Sequence, residues 1–216
     1  MSIITIATTK GGASKTTLAR LILGRLALTG FKTAALDADF NHTLTDWVTT
    51  AAKQPITVRH ELNETKIVPL VAELHDTHDV VVIDTAGAAS QATIFAIGCA
   101  DIVLVPIQTS SADIVEAIKT INLIKSASLM IKREVTARVV MTAVQPGTNI
   151  AEHIEREVAK AKLPTMETKL HRLVAFQEMS FTGVAPTSGL AGHQCTSLLE
   201  EIAALGALPE SRKLAS

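Results

Sequence analysis

Short runs of β-branched and aliphatic residues recur along this chain, each followed by a polar or glycine-rich break and then a segment of helical periodicity. The first, Ile3-Ile4-Thr5-Ile6, precedes a glycine loop and the apolar-periodic stretch Leu18 to Leu28. Lys32 to Asp39 reads as a buried strand closing in aspartates. His78 to Gly87 reads as another, and its core Val80-Val81-Val82-Ile83 is too continuous for a half-exposed strand, which places it in the middle of a parallel sheet. Asp101 to Ile107 and Val135 to Thr142 supply further strands, with a helix over Ile114 to Ile124 begun by Asp113 or Ser110. Asn149 with Glu152 predicts a capping-box start for a helix whose apolar stripe is Ile150, Ile154 and Val158. Strands alternate with helices at roughly the 30-residue spacing of βαβ units, so the expected fold class is α/β, a mainly parallel twisted sheet with helices on both faces.

The break after the first strand carries the chemistry. It reads Thr9-Lys10-Gly11-Gly12-Ala13-Ser14-Lys15-Thr16-Thr17. Glycines remove the Cβ atoms that would keep backbone N–H groups from turning inward around phosphate oxygens. The unpaired N–H groups and positive dipole end of the following helix favour the same anion. Lys15 adds a point charge toward the terminal phosphates, and the Thr16 hydroxyl is placed to ligate a bridging magnesium ion. Lys10, Gly11, Gly12, Ala13, Ser14, Lys15, Thr16 and Thr17 are therefore the expected nucleotide-binding residues, for a nucleoside triphosphate with Mg2+. A phosphate loop of this kind needs carboxylates at later strand ends, and Asp37, Asp39 and Asp84 stand there. The general pattern G-x-x-x-x-G-K-[ST] is matched imperfectly, because Thr9 and Ser14 replace its glycines.

Lys10 ahead of the paired glycines gives a loop that resembles the deviant Walker A sequence, K-G-G-x-G-K-T-T, of the ParA/MinD family of ATPases, from which only Ser14 departs. Asp37-Ala38-Asp39 looks like that family's A′ motif, and the apolar run closing in Asp84-Thr85-Ala86-Gly87 like its Walker B motif. Gln108 to Asp113 is similar to its P-x-x-P-S-x-x-D region, and Lys169 to Glu178 to a late strand-to-helix stretch of small partition ATPases. The resemblance spans nearly the whole chain and implies a single P-loop NTPase domain over residues 1–216. It implies a catalytic set of Lys10, Lys15 and Asp39, with Asp39 positioning the attacking water and Lys10 reaching the nucleotide of a partner subunit. It also implies ATP as the nucleotide and a metal set of Thr16, Asp37 and Asp84. Short ParA-like partition ATPases are the nearest type. They form an ATP-bound homodimer, hold nonspecific double-stranded DNA and answer to a ParB-like protein or cargo adaptor that stimulates hydrolysis.

Composition limits these readings. Among 216 residues the hydrophobic fraction is 47% and the formal net charge is −1, so no whole-molecule basic field draws the chain onto DNA. DNA contact must then be local. The candidates are Lys160, Lys162, Lys169 and Arg172, with Lys132, Arg133 and Arg138 as a second cluster; Glu152, Glu155, Glu157 and Glu167 are interleaved with the first set, as on a solvated ion-paired face. Tyrosine is absent and aromatics are scarce, which disfavours stacking on single strands and leaves duplex backbone contact. No Ser/Gly/Pro-rich linker, apolar run of about 20 residues or signal core is seen, so a cytoplasmic protein without membrane contact is expected, and the resemblance to partition ATPases implies association with the nucleoid. The segment Ser197 to Gly206 has Glu200 and Glu201 and no cation before Arg212, so it should pack as a last helix rather than anchor to lipid. Cys99 and Cys195 read as buried thiols, Trp47 as core, and His75 and His78 around Asp76 as a pair lacking a third metal ligand. Three alternatives stay open: a nucleotide-dependent binding module that hydrolyses slowly or not at all because Ser14 crowds the loop, a MinD-like positioning ATPase, and a metabolic P-loop enzyme.

Overall fold

The computed structural model describes residues 1–87 and 89–209. In chain order the elements are β1 (Ser2–Ile6), α1 (Lys15–Leu28), β2 (Thr33–Ala38), α2 (Thr43–Thr50), β3 (Ile56–His60), α3 (Glu64–Thr77), β4 (Val80–Thr85), α4 (Gln91–Cys99), β5 (Ile102–Ile107), α5 (Ser111–Ile131), β6 (Thr136–Met141), α6 (Asn149–Lys160), α7 (Val174–Thr182) and α8 (Gly189–Ala204). The strands form one six-stranded sheet in the order β3-β2-β4-β1-β5-β6, and every pairing is parallel. From β1 the chain crosses past β4 to β2, and from β4 it crosses back past β1 to β5. The carboxyl ends of β1 and β4 therefore border the crevice where ligands settle in open α/β sheets.

Burial follows the pleat. Val80 and Val82 join Ile4, Ile6 and Ala35 under α1, α2, α7 and α8, while Val81 and Ile83 join Ala34 and Leu36 under α3 and α4. Val103, Val105 and Val139 complete the second face beneath α5 and α6. A strand buried on both faces cannot alternate apolar with polar, which explains the continuous valine run. Trp47 is core as expected, 2% exposed, with its indole N–H donating to the Met179 carbonyl at 2.8 Å. The last helix, α8, packs inward through Cys195, Leu198, Leu199 and Ile202, and among the described residues no helix is long and apolar enough to cross a membrane. Arg212 lies outside the described residues.

Several expectations are corrected. The helix expected from Ile114 to Ile124 runs from Ser111 to Ile131 with Ser110 at the N-cap position, so Asp113 sits inside its first turn. The cap of α6 is Thr148, whose hydroxyl accepts from the Ala151 N–H at 3.3 Å, so Asn149 is already helical. Lys169 to Glu178 contains no named strand; His171 makes an isolated parallel bridge to Val144 before α7 starts at Val174. Cys99 is only half-buried, because α4 ends there at the surface, whereas Cys195 is fully buried. His75 and His78 belong to the end of α3: His78 is its C-cap and bonds the Leu74 carbonyl and the Thr57 hydroxyl. Sequence periodicity also missed β3, an edge strand with a half-exposed pattern, and α3, which continues through Pro69.

Candidate functional site

The loop between β1 and α1 lies at the carboxyl end of the sheet, flanked by the ends of β2, β4 and β5. Its turn depends on two left-handed residues, Gly12 at φ 77° and Ser14 at φ 67°. Ser14 is the N-cap of α1 but makes no side-chain cap bond, so the first N–H groups of the helix stay free of it. Gly87, at the end of the Asp84-Thr85-Ala86-Gly87 run, approaches this loop so closely that a Cβ there would meet the Gly11 nitrogen at 2.6 Å. The two loops are thus packed backbone to backbone, which only glycine permits.

The carboxylates are not equivalent. Asp84 is 1% exposed; its Oδ2 accepts from the Thr16 hydroxyl at 2.7 Å, and its Oδ1 has no hydrogen-bond partner among the described residues. Burial pushes its carboxyl up to about 7; the Thr16 bond opposes this, Asp37 adds to it, Lys15 opposes it, and Asp39 adds to it. Asp37, its register partner on β2, is fully buried but satisfied. Its Oδ2 accepts from the backbone N–H and hydroxyl of Thr45 at 2.8 and 3.0 Å, and its Oδ1 from the Asp39 N–H at 3.2 Å. Asp39 is half-buried, and its Oδ1 accepts from both the backbone and side-chain N–H of Asn41, at 2.9 and 2.8 Å.

The lysines face different ways. Lys15 is buried, 7% exposed, and burial lowers its pKa against the pull of Asp84 and Asp39. Lys10 turns back onto its own chain: its ammonium lies 2.6 Å from Asp113 Oδ1, a carboxylate whose side chain is only 5% exposed. The same region of α5 grips Thr9, whose hydroxyl donates to Glu116 Oε2 at 2.6 Å and whose backbone N–H donates to the Thr120 hydroxyl oxygen at 3.2 Å. Gln108 donates from its side-chain amide to the Gly12 carbonyl and to the Ser14 hydroxyl oxygen, both at 3.0 Å. Glu116, Thr120 and Thr45 were not expected at the site, and Gln108 was expected only as the start of the Gln108 to Asp113 stretch without a role of its own, because each reaches the loop or its aspartates across the fold. Only the position of Gln108, directly after an apolar strand, hinted at it.

Beside the loop runs a groove of about 480 Å3, lined among others by Ser14, Thr17, Gln108, Thr142, Gln145, Arg172 and Phe176. It includes Ala143 and Gln145 of the polar loop after β6. Arg172 therefore stands next to the phosphate loop. Lys160 pairs with Glu157 and Lys169 with Glu155, each at 2.7 Å, whereas Lys162 is exposed at the end of α6. Lys132, Arg133 and Arg138 line a separate groove of about 850 Å3 between α5 and β6, with no residue of the phosphate loop among the described residues of its wall.

A magnesium ion fits these residues. It takes one or two protein oxygens and completes its shell with water and phosphate, and the orphaned Asp84 Oδ1 beside the Thr16 hydroxyl is a donor set of that kind. No group of three or more His, Cys, Asp or Glu capable of holding a metal occurs among the described residues.

Comparison with known proteins follows the same lines. A family model described as "VirC1 protein" matches residues 1–212. Protein ParA of Rhizobium radiobacter is 32% identical over 155 residues, covering 71% of this chain and 69% of that protein. Among solved structures, the Cyanothece McdA(D38A)–ATP complex superposes with a TM-score of 0.77 at 16% identity, covering 98% of this chain and 99% of that one. Cobyrinic acid a,c-diamide synthase from Mycobacterium smegmatis, with bound ATP analog and magnesium, gives 0.75 at 17% identity, covering 97% and 98%.

Proposed function

Because the chain belongs to the VirC1 protein family, within the ParA/MinD group of ATPases, we propose that it is a ParA-like ATPase of a single domain. In this reading its ATP-bound homodimer holds nonspecific duplex DNA and positions a plasmid, a conjugation complex or another cargo. The observation that carries the nucleotide part is the Thr16 to Asp84 bond beside a buried carboxylate oxygen with no partner among the described residues, at the mouth of a glycine loop that also buries Lys15.

The chain's own groups divide the work. The loop N–H groups and the Lys15 ammonium bind and orient the triphosphate. Thr16 and Asp84 would hold Mg2+, with Asp37 bracing the strand end beside them; the ion, when bound, neutralises phosphate charge. Asp39 holds the attacking water in line. Lys10 leaves Asp113 and serves the nucleotide of the partner subunit, so pairing of subunits completes each site. The groove containing Gln145 and Phe176 takes the nucleoside. Of the proposed DNA cations, Lys162 and Arg172 are exposed, and Lys160 and Lys169 contribute once their glutamate partners yield to phosphate.

The test is ATP turnover, dimer mass and duplex DNA binding at two salt concentrations. Dimers that require ATP, bind DNA and release it at higher salt support the reading, and Lys15→Ala should abolish all three. Tight ATP binding with neither dimers nor DNA affinity overturns it. The slow binding module is favoured by one feature, the non-glycine Ser14 at positive φ; a Ser14→Gly protein that turns over ATP much faster would establish that alternative.

A further inference from the structure

Ser14 occupies a backbone conformation, φ 67° and ψ 20°, that L-residues visit rarely, at the loop position where the deviant Walker A motif it resembles has glycine. Something must hold it there, and the structure supplies Gln108. The Gln108 backbone N–H donates to Asp113 Oδ2 at 2.9 Å, which anchors the residue at the end of β5. Its side-chain amide then reaches the loop and donates to the Gly12 carbonyl and the Ser14 hydroxyl oxygen, both at 3.0 Å. The orientation of the amide follows from its partner: a backbone carbonyl only accepts, so the NH2 end must face Gly12.

We infer that Gln108 is a positioning residue for the bound triphosphate, acting through Ser14 and the Gly12 carbonyl. A carbonyl turned into the cradle would repel phosphate oxygens, and the Gln108 amide keeps this one turned aside. The hydroxyl of Ser14 accepts from the same amide and keeps its own proton, so the serine adds a donor at the rim of the cradle where glycine has none. In this chain the glycine-to-serine change and Gln108 form one unit: the side chain that strains the loop is also the handle by which the neighbouring strand end steadies it. Asp113 links the unit to Lys10, since one of its oxygens holds the Gln108 N–H and the other the Lys10 ammonium.

The inference rests on the proposed phosphate site, and the test separates the two. MgATP affinity is measured by calorimetry, with kcat and KM from turnover, for Gln108→Ala, Gln108→Glu, Ser14→Gly, the double variant Ser14→Gly with Gln108→Ala, and Lys15→Ala. Gln108→Ala should weaken MgATP about tenfold and act on KM more than on kcat, with an unchanged thermal midpoint. Gln108→Glu, which has the same shape but no donor, should be at least as weak. In the Ser14→Gly background the loss from Gln108→Ala should shrink to about threefold, because one of its two acceptors is gone. Equal losses in the two backgrounds, or wild-type affinity in Gln108→Glu, overturn the inference while leaving the phosphate site standing. Unchanged MgATP affinity in Lys15→Ala overturns the phosphate site itself.

Discussion

The backbone of Gly87 lies against that of Gly11, so that a Cβ on residue 87 would sit 2.6 Å from the Gly11 nitrogen and 2.7 Å from its Cα. Both are backbone atoms and neither can swing aside. Gly87→Ala should therefore destabilise the protein by about 1–3 kcal/mol and also weaken ATP, since relief comes by displacing the phosphate loop. Gly11→Ala is the control: a Cβ there meets nothing within 4 Å, so its stability cost should be small. Urea unfolding with nucleotide titration of the two variants checks the pair.

Asp84 and Thr16 make the metal contribution separable from the rest. Asp84→Asn preserves shape and still accepts from the Thr16 hydroxyl, but it removes the charge that a cation needs. It should lose about tenfold or more in affinity for MgATP while its affinity for ATP in EDTA stays near that of the unchanged protein. Calorimetry in the two buffers decides it, and an equal loss in both would show that Asp84 acts without metal.

Lys10 shields a nearly buried carboxylate. Removing it as Lys10→Ala leaves Asp113, among the described residues, with the Gln108 N–H alone, which should cost about 1–2 kcal/mol of stability. Combining it with Asp113→Asn should recover part of that loss, so that the two changes are less than additive. Denaturant unfolding of the singles and the double variant gives the coupling directly.

Cys195 predicts a pH dependence remote from the site. Burial pushes its thiol up to about 12, against a value of 9.0 for a free thiol. Above pH 9 the unfolded chain loses this proton and the folded chain keeps it, so stability falls with rising pH until the folded thiol also titrates near 12. The contribution at pH 10 is about 1 kcal/mol. It should appear as a steeper loss of stability between pH 8 and pH 10 than in Cys195→Ala. In native protein a thiol reagent should modify half-exposed Cys99 well before Cys195.

The features legible in the chain are those written by local physics. A strand buried on both faces must be continuously apolar, hence Val80 to Ile83; a loop that turns N–H groups on an anion must have glycines and an adjacent lysine, hence Lys10 to Thr17. From such patterns came the parallel sheet, the phosphate loop and the aspartates at strand ends. The cap expected at Asn149 but made by Thr148, and the missed helix through Pro69, show the reach of that reasoning, because there a neighbouring residue or the packing of Ile67, Val71 and Leu74 outweighs the local signal.

Tertiary structure alone decided which side chains meet. Gln108 stands about ninety positions from Ser14 and Asp113 about a hundred from Lys10, and they touch because β5 pairs beside β1 and runs on past its end, alongside the phosphate loop. It also separated Asp37, whose oxygens are claimed by Thr45 and Asp39, from Asp84, which keeps one oxygen open; by residue type and strand position the two were alike. Residue type determines what chemistry a group can perform, and pairing of distant strands determines which partners it has left over to perform it with.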